Sequence, residues 1–187
     1  MQYYSLAFCL AAVSAVALGP ASADAQRAPR SKAARIAEAM SAAPVSIARN
    51  ATIKDWPKSD GGEMAVLREG SNGWVCLPTP PQLPGREPMC IDSQWEKWLA
   101  AYMAKTTPEI TATGYSYMLN ARSQGSNTDP YATKKTADNE WHMVGPHVMV
   151  LHADPKMYES ISTDHHSGGP YVMFKGTPYA HVMWPIR

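Results

Sequence analysis

Three short segments near the C-terminus share one pattern: Gly145-Pro146-His147-Val148-Met149-Val150, Gly169-Pro170-Tyr171-Val172-Met173-Phe174 and Tyr179-Ala180-His181-Val182-Met183-Trp184. Each is rich in strand formers and punctuated by Gly or Pro, so each predicts a short strand. Side chains alternate between the faces of a strand. One face then carries Val148, Val150, Val172, Phe174, Val182 and Trp184, which reads as an ordinary core face. The other carries His147, Met149, Tyr171, Met173, His181 and Met183, and there imidazoles and thioethers gather.

Three chemistries suit that second face. Imidazole with thioether is a ligand set for copper, because thioether is soft and imidazole borderline. His147, Met149, His181 and Met183 are the candidate metal ligands, with copper or zinc as the ion. A small organic ligand or a protein partner would instead meet His147, Tyr171, His181 and Tyr179. The third reading is a hydrolase or lyase with His147 or His181 as general base and Tyr171 or Tyr179 as its partner. A plainer account stands beside all three. Methionine fills irregular core gaps against aromatic rings, and the chain has 11 Met, 9 Tyr and 6 Trp.

Other motifs weigh less. The chain holds no H-E-x-x-H, C-x-x-C-H, G-x-S-x-G or phosphate-loop pattern. Binding is therefore favoured over catalysis. Asn127, Asp129 and Asp138 offer oxygen ligands, but without the rest of a calcium loop they read as an Asx-type turn. His165 and His166 follow Asp164 in a Gly-rich loop and read as exposed. Their functional alternative is a loop ligand or acid/base, with Asp164 orienting one ring. His152 shares its face with Val148 and Val150, and the direction of His142 is open.

The elements that must position these residues begin after the N-terminus. Leu6 to Leu18 is an apolar run too short to span a membrane, followed by Ala21-Ser22-Ala23 and Ala23-Asp24-Ala25. That predicts a signal peptide over residues 1–25, a basic linker over 26–32 and one exported domain over 33–187, periplasmic or secreted. The net charge is +1, which excludes a nucleic-acid partner, and no membrane span is expected in the mature chain. Two cysteines remain, Cys76 and Cys90, flanking a Pro-rich loop. A lone pair in an oxidising compartment predicts a disulfide.

Punctuation sets the coarse layout. A helix is expected over Ser31 to Ala43, stopped by Pro44. Glu63 to Arg68 and Gly73 to Leu77 predict a hairpin around Gly70 and Gly73. Asp92 or Ser93 caps a helix to about Lys105. Ile110 to Leu119 predicts a strand, 123–139 a loop, and Asp154-Pro155 the start of a short helix. Grouped strands with separate helices favour α+β: a largely antiparallel sheet with helices packed on one face.

The wording of several motifs adds to this. Gly70-Ser71-Asn72-Gly73-Trp74-Val75-Cys76, Pro88-Met89-Cys90, Ser126-Asn127-Thr128-Asp129-Pro130, Gly145-Pro146-His147 and Gly176-Thr177-Pro178-Tyr179-Ala180-His181 resemble a family of uncharacterised exported bacterial proteins. The resemblance runs from about Ala33 to Ile186. It implies a single exported domain and carries over no catalytic or binding residue.

Overall fold

The computed structural model describes residues 31–59 and 61–186. The signal peptide expected over 1–25 and nearly all of the basic linker lie outside the described residues. Ser31 caps the first helix, α1 (Lys32–Met40), by accepting a hydrogen bond from Ala34 N at 3.2 Å. A four-residue turn of helix, α2 (Val45–Ala48), follows Pro44. The strands then begin: β1 (Thr52–Asp55), β2 (Ala65–Arg68), β3 (Val75–Leu77) and β4 (Met89–Ile91).

The second long helix, α3 (Ser93–Ala104), starts where the sequence places it. Asp92 Oδ1 accepts from Gln94 N and Trp95 N, each at 3.0 Å, while its Oδ2 accepts from Tyr115 N at 2.6 Å. One carboxylate thus caps the helix and ties it to the neighbouring strand, at a position where an unpaired helix N–H would otherwise be left. Strand β5 (Gly114–Met118) lies beside it, followed by β6 (Ser123–Ser126), β7 (Trp141–Val144), β8 (His147–Leu151), β9 (Tyr171–Met173) and β10 (His181–Pro185). A 3-10 turn spans Pro155–Tyr158.

The fold is α+β. Eight strands form one sheet in the order β2-β1-β3-β4-β5-β8-β10-β9, and β6 pairs with β7 in a separate hairpin. Every pairing is antiparallel except β1 with β3. Among the described residues no helix is long and apolar enough to cross a membrane.

Several expectations need correction. The hairpin of 63–68 with 73–77 does not form: β1 inserts between β2 and β3, antiparallel to one and parallel to the other. The polar stretch 123–139 contains β6, and the end of the Pro-rich loop supplies β4. The helices also divide between the two faces. Cys76, Cys90 and Ile53 pack with Ala39 and Ala42 of the α1 segment, whereas Val75, Leu77 and Ile91 pack with Trp95, Trp98 and Leu99 of α3. A sheet of this width with apolar side chains on both faces needs cover on both. Cys76 and Cys90 are directly opposed across β3 and β4 and form a disulfide, with Cα atoms 4.0 Å apart.

Candidate functional site

Register decides which side chains meet. Across β5, β8, β10 and β9, Ser116 lies opposite Met149, Met149 opposite Met183, and Met183 opposite Tyr171. His147 lies opposite Met118 and His181 opposite Met173. His147, Tyr171 and His181 therefore share one sheet face with the methionines, as the period-two pattern requires. Both faces bury apolar side chains, with Val172 0% and Val182 3% exposed, and Phe174, expected on the valine face, instead packs against His181. The His/Met face carries the main core beneath α3, with His147 3% and His181 2% exposed, whereas Trp184 on the valine face is 53% exposed. Tyr158 and Ile161 cover only the Val172 and Val182 end of that second face.

The two buried histidines are built alike. His147 Nδ1 donates to Gly145 O at 2.7 Å, and His181 Nδ1 donates to Tyr179 O at 2.9 Å. A carbonyl only accepts, so both rings are the Nδ1–H tautomer with a bare Nε2 lone pair. Burial is the main cause that pushes both pKa values down to about 4, and His147 lowers His181 further by its charge. Both are neutral at pH 7. Their surroundings differ. His181 is packed edge-on to Trp95, Trp98 and Phe174, with ring centroids 5.2, 5.6 and 5.5 Å away, and its Nε2 is sealed without a partner. His147 Nε2 also takes no partner among the described residues, but unlike His181 Nε2 it is not fully closed off.

Of the proposed metal ligands, Met149 and Met183 are cross-strand neighbours. The histidines flank that pair from opposite ends, because β8 and β10 run antiparallel. Their Nδ1 bonds run to Gly145 and Tyr179, further from the pair along each strand. Among the described residues no group of three His, Cys, Asp or Glu is placed to hold an ion. The ring nitrogens of His142, His147 and His181 bond to Tyr171 Oη and to the carbonyls of Glu140, Gly145 and Tyr179. None of these bonds reaches a Ser, Thr or Cys side chain.

Above the face lies a cavity of about 950 Å³. Met89, Met118, Met149, Met173 and Met183 line it with His147, and α3 contributes Trp98 and Tyr102. The Pro-rich loop supplies Pro80, Leu83 and Glu87, and the β6–β7 hairpin supplies Gln124, Ser126 and Val144. Burial pushes the Glu87 carboxyl above the usual carboxylate range. The Ser123 hydroxyl alongside works in the opposite direction without closing a hydrogen bond of good geometry. Tyr179 stands apart from the cavity lining, in an aromatic column. Trp98 stacks on Tyr102 at 5.1 Å and Tyr102 on Tyr131 at 5.1 Å, with Tyr179 edge-on to all three. The Tyr131 hydroxyl donates to Tyr179 Oη at 2.7 Å, which donates to Thr106 O at 2.9 Å.

A second assembly escaped the sequence reading. His142 stacks on His165 and His165 meets His166, each pair with centroids 4.0 Å apart. His142 Nε2 and Tyr171 Oη are 3.2 Å apart, so Tyr171 faces this cluster. Burial, then the neighbouring imidazoles, lower the pKa of His142 and of His165, while the Glu140 carboxylate pulls the other way. The Asp164–His165–His166 run was visible in the sequence, but nothing there pointed to His142.

No protein-family model matches the chain, and no curated protein or solved structure is significantly similar to it.

Proposed function

We propose that this protein is an exported, non-catalytic binding domain that takes a small, largely apolar molecule into the cavity over its His/Met face. The observation that carries this reading is the cavity itself. Its volume of about 950 Å³ falls within the range of roughly 300–1,000 Å³ usual for ligand sites. Its lining is mainly thioether and aromatic, with Glu87, His147 and Ser126 among its polar members, and flexible methionines adapt to varied apolar shapes. A cross-strand disulfide fits an oxidising compartment, which supports export. The hydrolase reading is weaker, since among the described residues no imidazole nitrogen is hydrogen-bonded to a Ser, Thr or Cys nucleophile.

The test is titration with a neutral apolar dye such as N-phenyl-1-naphthylamine. Saturable one-to-one binding is expected, with a raised Tm. Val144→Trp, at the cavity wall, should weaken it at least about tenfold through steric filling while the fold melts normally. Absence of saturable binding, or an unaffected Val144→Trp, would overturn the reading. Copper and zinc belong in the same melting series, because specific binding to the native state raises Tm for either ion.

A further inference from the structure

We infer that the ligand of this cavity is an organic amine, bound as its ammonium ion between Glu87, His147 and the aromatic wall. The inference rests on the cavity reading and deepens it by naming the ligand's chemical class.

The polar atoms that a guest could meet decide its chemical class. Among the described lining residues most side-chain donors are used, closed off or, like Ser59 and Gln82, exposed; the Ser126 hydroxyl stands 3.5 Å from Thr128 Oγ1. Trp56 Nε1 donates to Pro78 O at 2.6 Å and the Tyr102 hydroxyl to Pro130 O at 2.6 Å. Trp95 Nε1 and Trp98 Nε1 are buried and have no partner among the described residues. Lys58, Lys105 and Gln124 are exposed residues at the rim. What remains inside is acceptor in character. His147 Nε2 is a lone pair, because Nδ1 holds the proton on Gly145 O. The Glu87 carboxylate has the poorly aligned Ser123 hydroxyl beside it and lies near enough to Tyr102 for its charge to be felt there.

An acceptor-lined, apolar cavity selects for a donor. A neutral alcohol could satisfy one acceptor, and a carboxylate would meet repulsion from Glu87. An ammonium group has three donors and a charge. It would pair with Glu87 and donate to the His147 imidazole, with its hydrocarbon part against the aromatic wall. Burial already disfavours the Glu87 charge, so a cation restores what desolvation takes away. Balance is simple: the amine arrives protonated, Glu87 becomes fully ionised, and any proton it held leaves to buffer.

Calorimetry of the mature protein at pH 7.5 with 2-phenylethylamine, 2-phenylethanol and 3-phenylpropionate tests this. The amine should bind at least about tenfold more tightly than the alcohol, with the acid weakest. Glu87→Gln should erase the amine's advantage and leave the alcohol within about twofold. Should that variant fold poorly, the wild type suffices: the amine's advantage over the alcohol should shrink as the pH is lowered from 7.5 and the Glu87 carboxyl, raised by burial, takes up its proton. Equal affinity for amine and alcohol, or an advantage that does not change with pH, overturns the amine while leaving the cavity reading intact if the neutral dye still binds. If neither dye nor amine binds, both fall together.

Discussion

Acidification should unfold this domain earlier than its carboxylates alone would require, and the two buried histidines set the range. His147 and His181 have folded pKa values of about 4 against an ordinary 6.5. Their folded values lie below the unfolded ones, so between these limits the unfolded chain binds more protons. Stability is therefore complete above pH 6.5, falls through the window, and stops falling below about pH 4 on their account. At about 1.4 kcal/mol per pH unit, each histidine removes about 3.5 kcal/mol across that window. Both together remove about 7 kcal/mol, against a total of about 5–15 kcal/mol for a typical domain. His142 and His165, also lowered, act in the same direction, and Glu87, raised, opposes them in part. Urea unfolding at half-unit steps from pH 7.5 to 4.5, followed by Trp fluorescence, measures the slope. His147→Gln should start less stable at pH 7.5 and lose stability with a slope shallower by up to about 1.4 kcal/mol per pH unit. Constant wild-type stability from pH 7 to 5, or an unaltered slope in His147→Gln, would refute the assigned neutral state.

Other outcomes follow from packing. Replacing both Cys76 and Cys90 by Ala opens a link with a sequence separation of 14 and should lower stability by about 3 kcal/mol. An unchanged urea midpoint would count against that. Gly70→Ala would place a Cβ 2.2 Å from Ala51 C and Thr52 N, both backbone, so β1 must shift. Its cost should exceed the roughly 1–3 kcal/mol usual for overpacking, seen as poor soluble yield or a sharply lower Tm. Trp95→Ala, which removes the fully buried ring between α3 and His181, should cost about 3–5 kcal/mol in the same unfolding assay.

Local chemistry was readable along the chain wherever one strand or one helix end decides it. The Asp92 cap, the stop of α1 near Pro44 and the shared face of His147, Tyr171 and His181 all follow from short-range rules. Pairing over distance was not readable. Residues 63–68 and 73–77 carry a proper turn between them, yet β1 takes the place at the side of each. The turn constrains only its own few residues, whereas insertion of β1 satisfies two rows of backbone hydrogen bonds at once. The His142–His165–His166 cluster is a case of the same kind, since β7 and the 162–169 loop are distant in sequence and meet only through the tertiary fold.

By itself, then, the sequence determined the α+β composition, the disulfide partners and the alternation that segregates His and Met from Val. Those depend on side-chain period, cap chemistry and the number of cysteines available. Tertiary structure alone decided which face is core. Both faces are apolar, so alternation is symmetric between them, and only the packing of Trp95 and Trp98 from α3 breaks that symmetry. The same packing leaves a gap between α3, the Pro-rich loop and the β6–β7 hairpin. That gap is a volume enclosed by segments far apart in the chain, and no local pattern of residues encodes a volume.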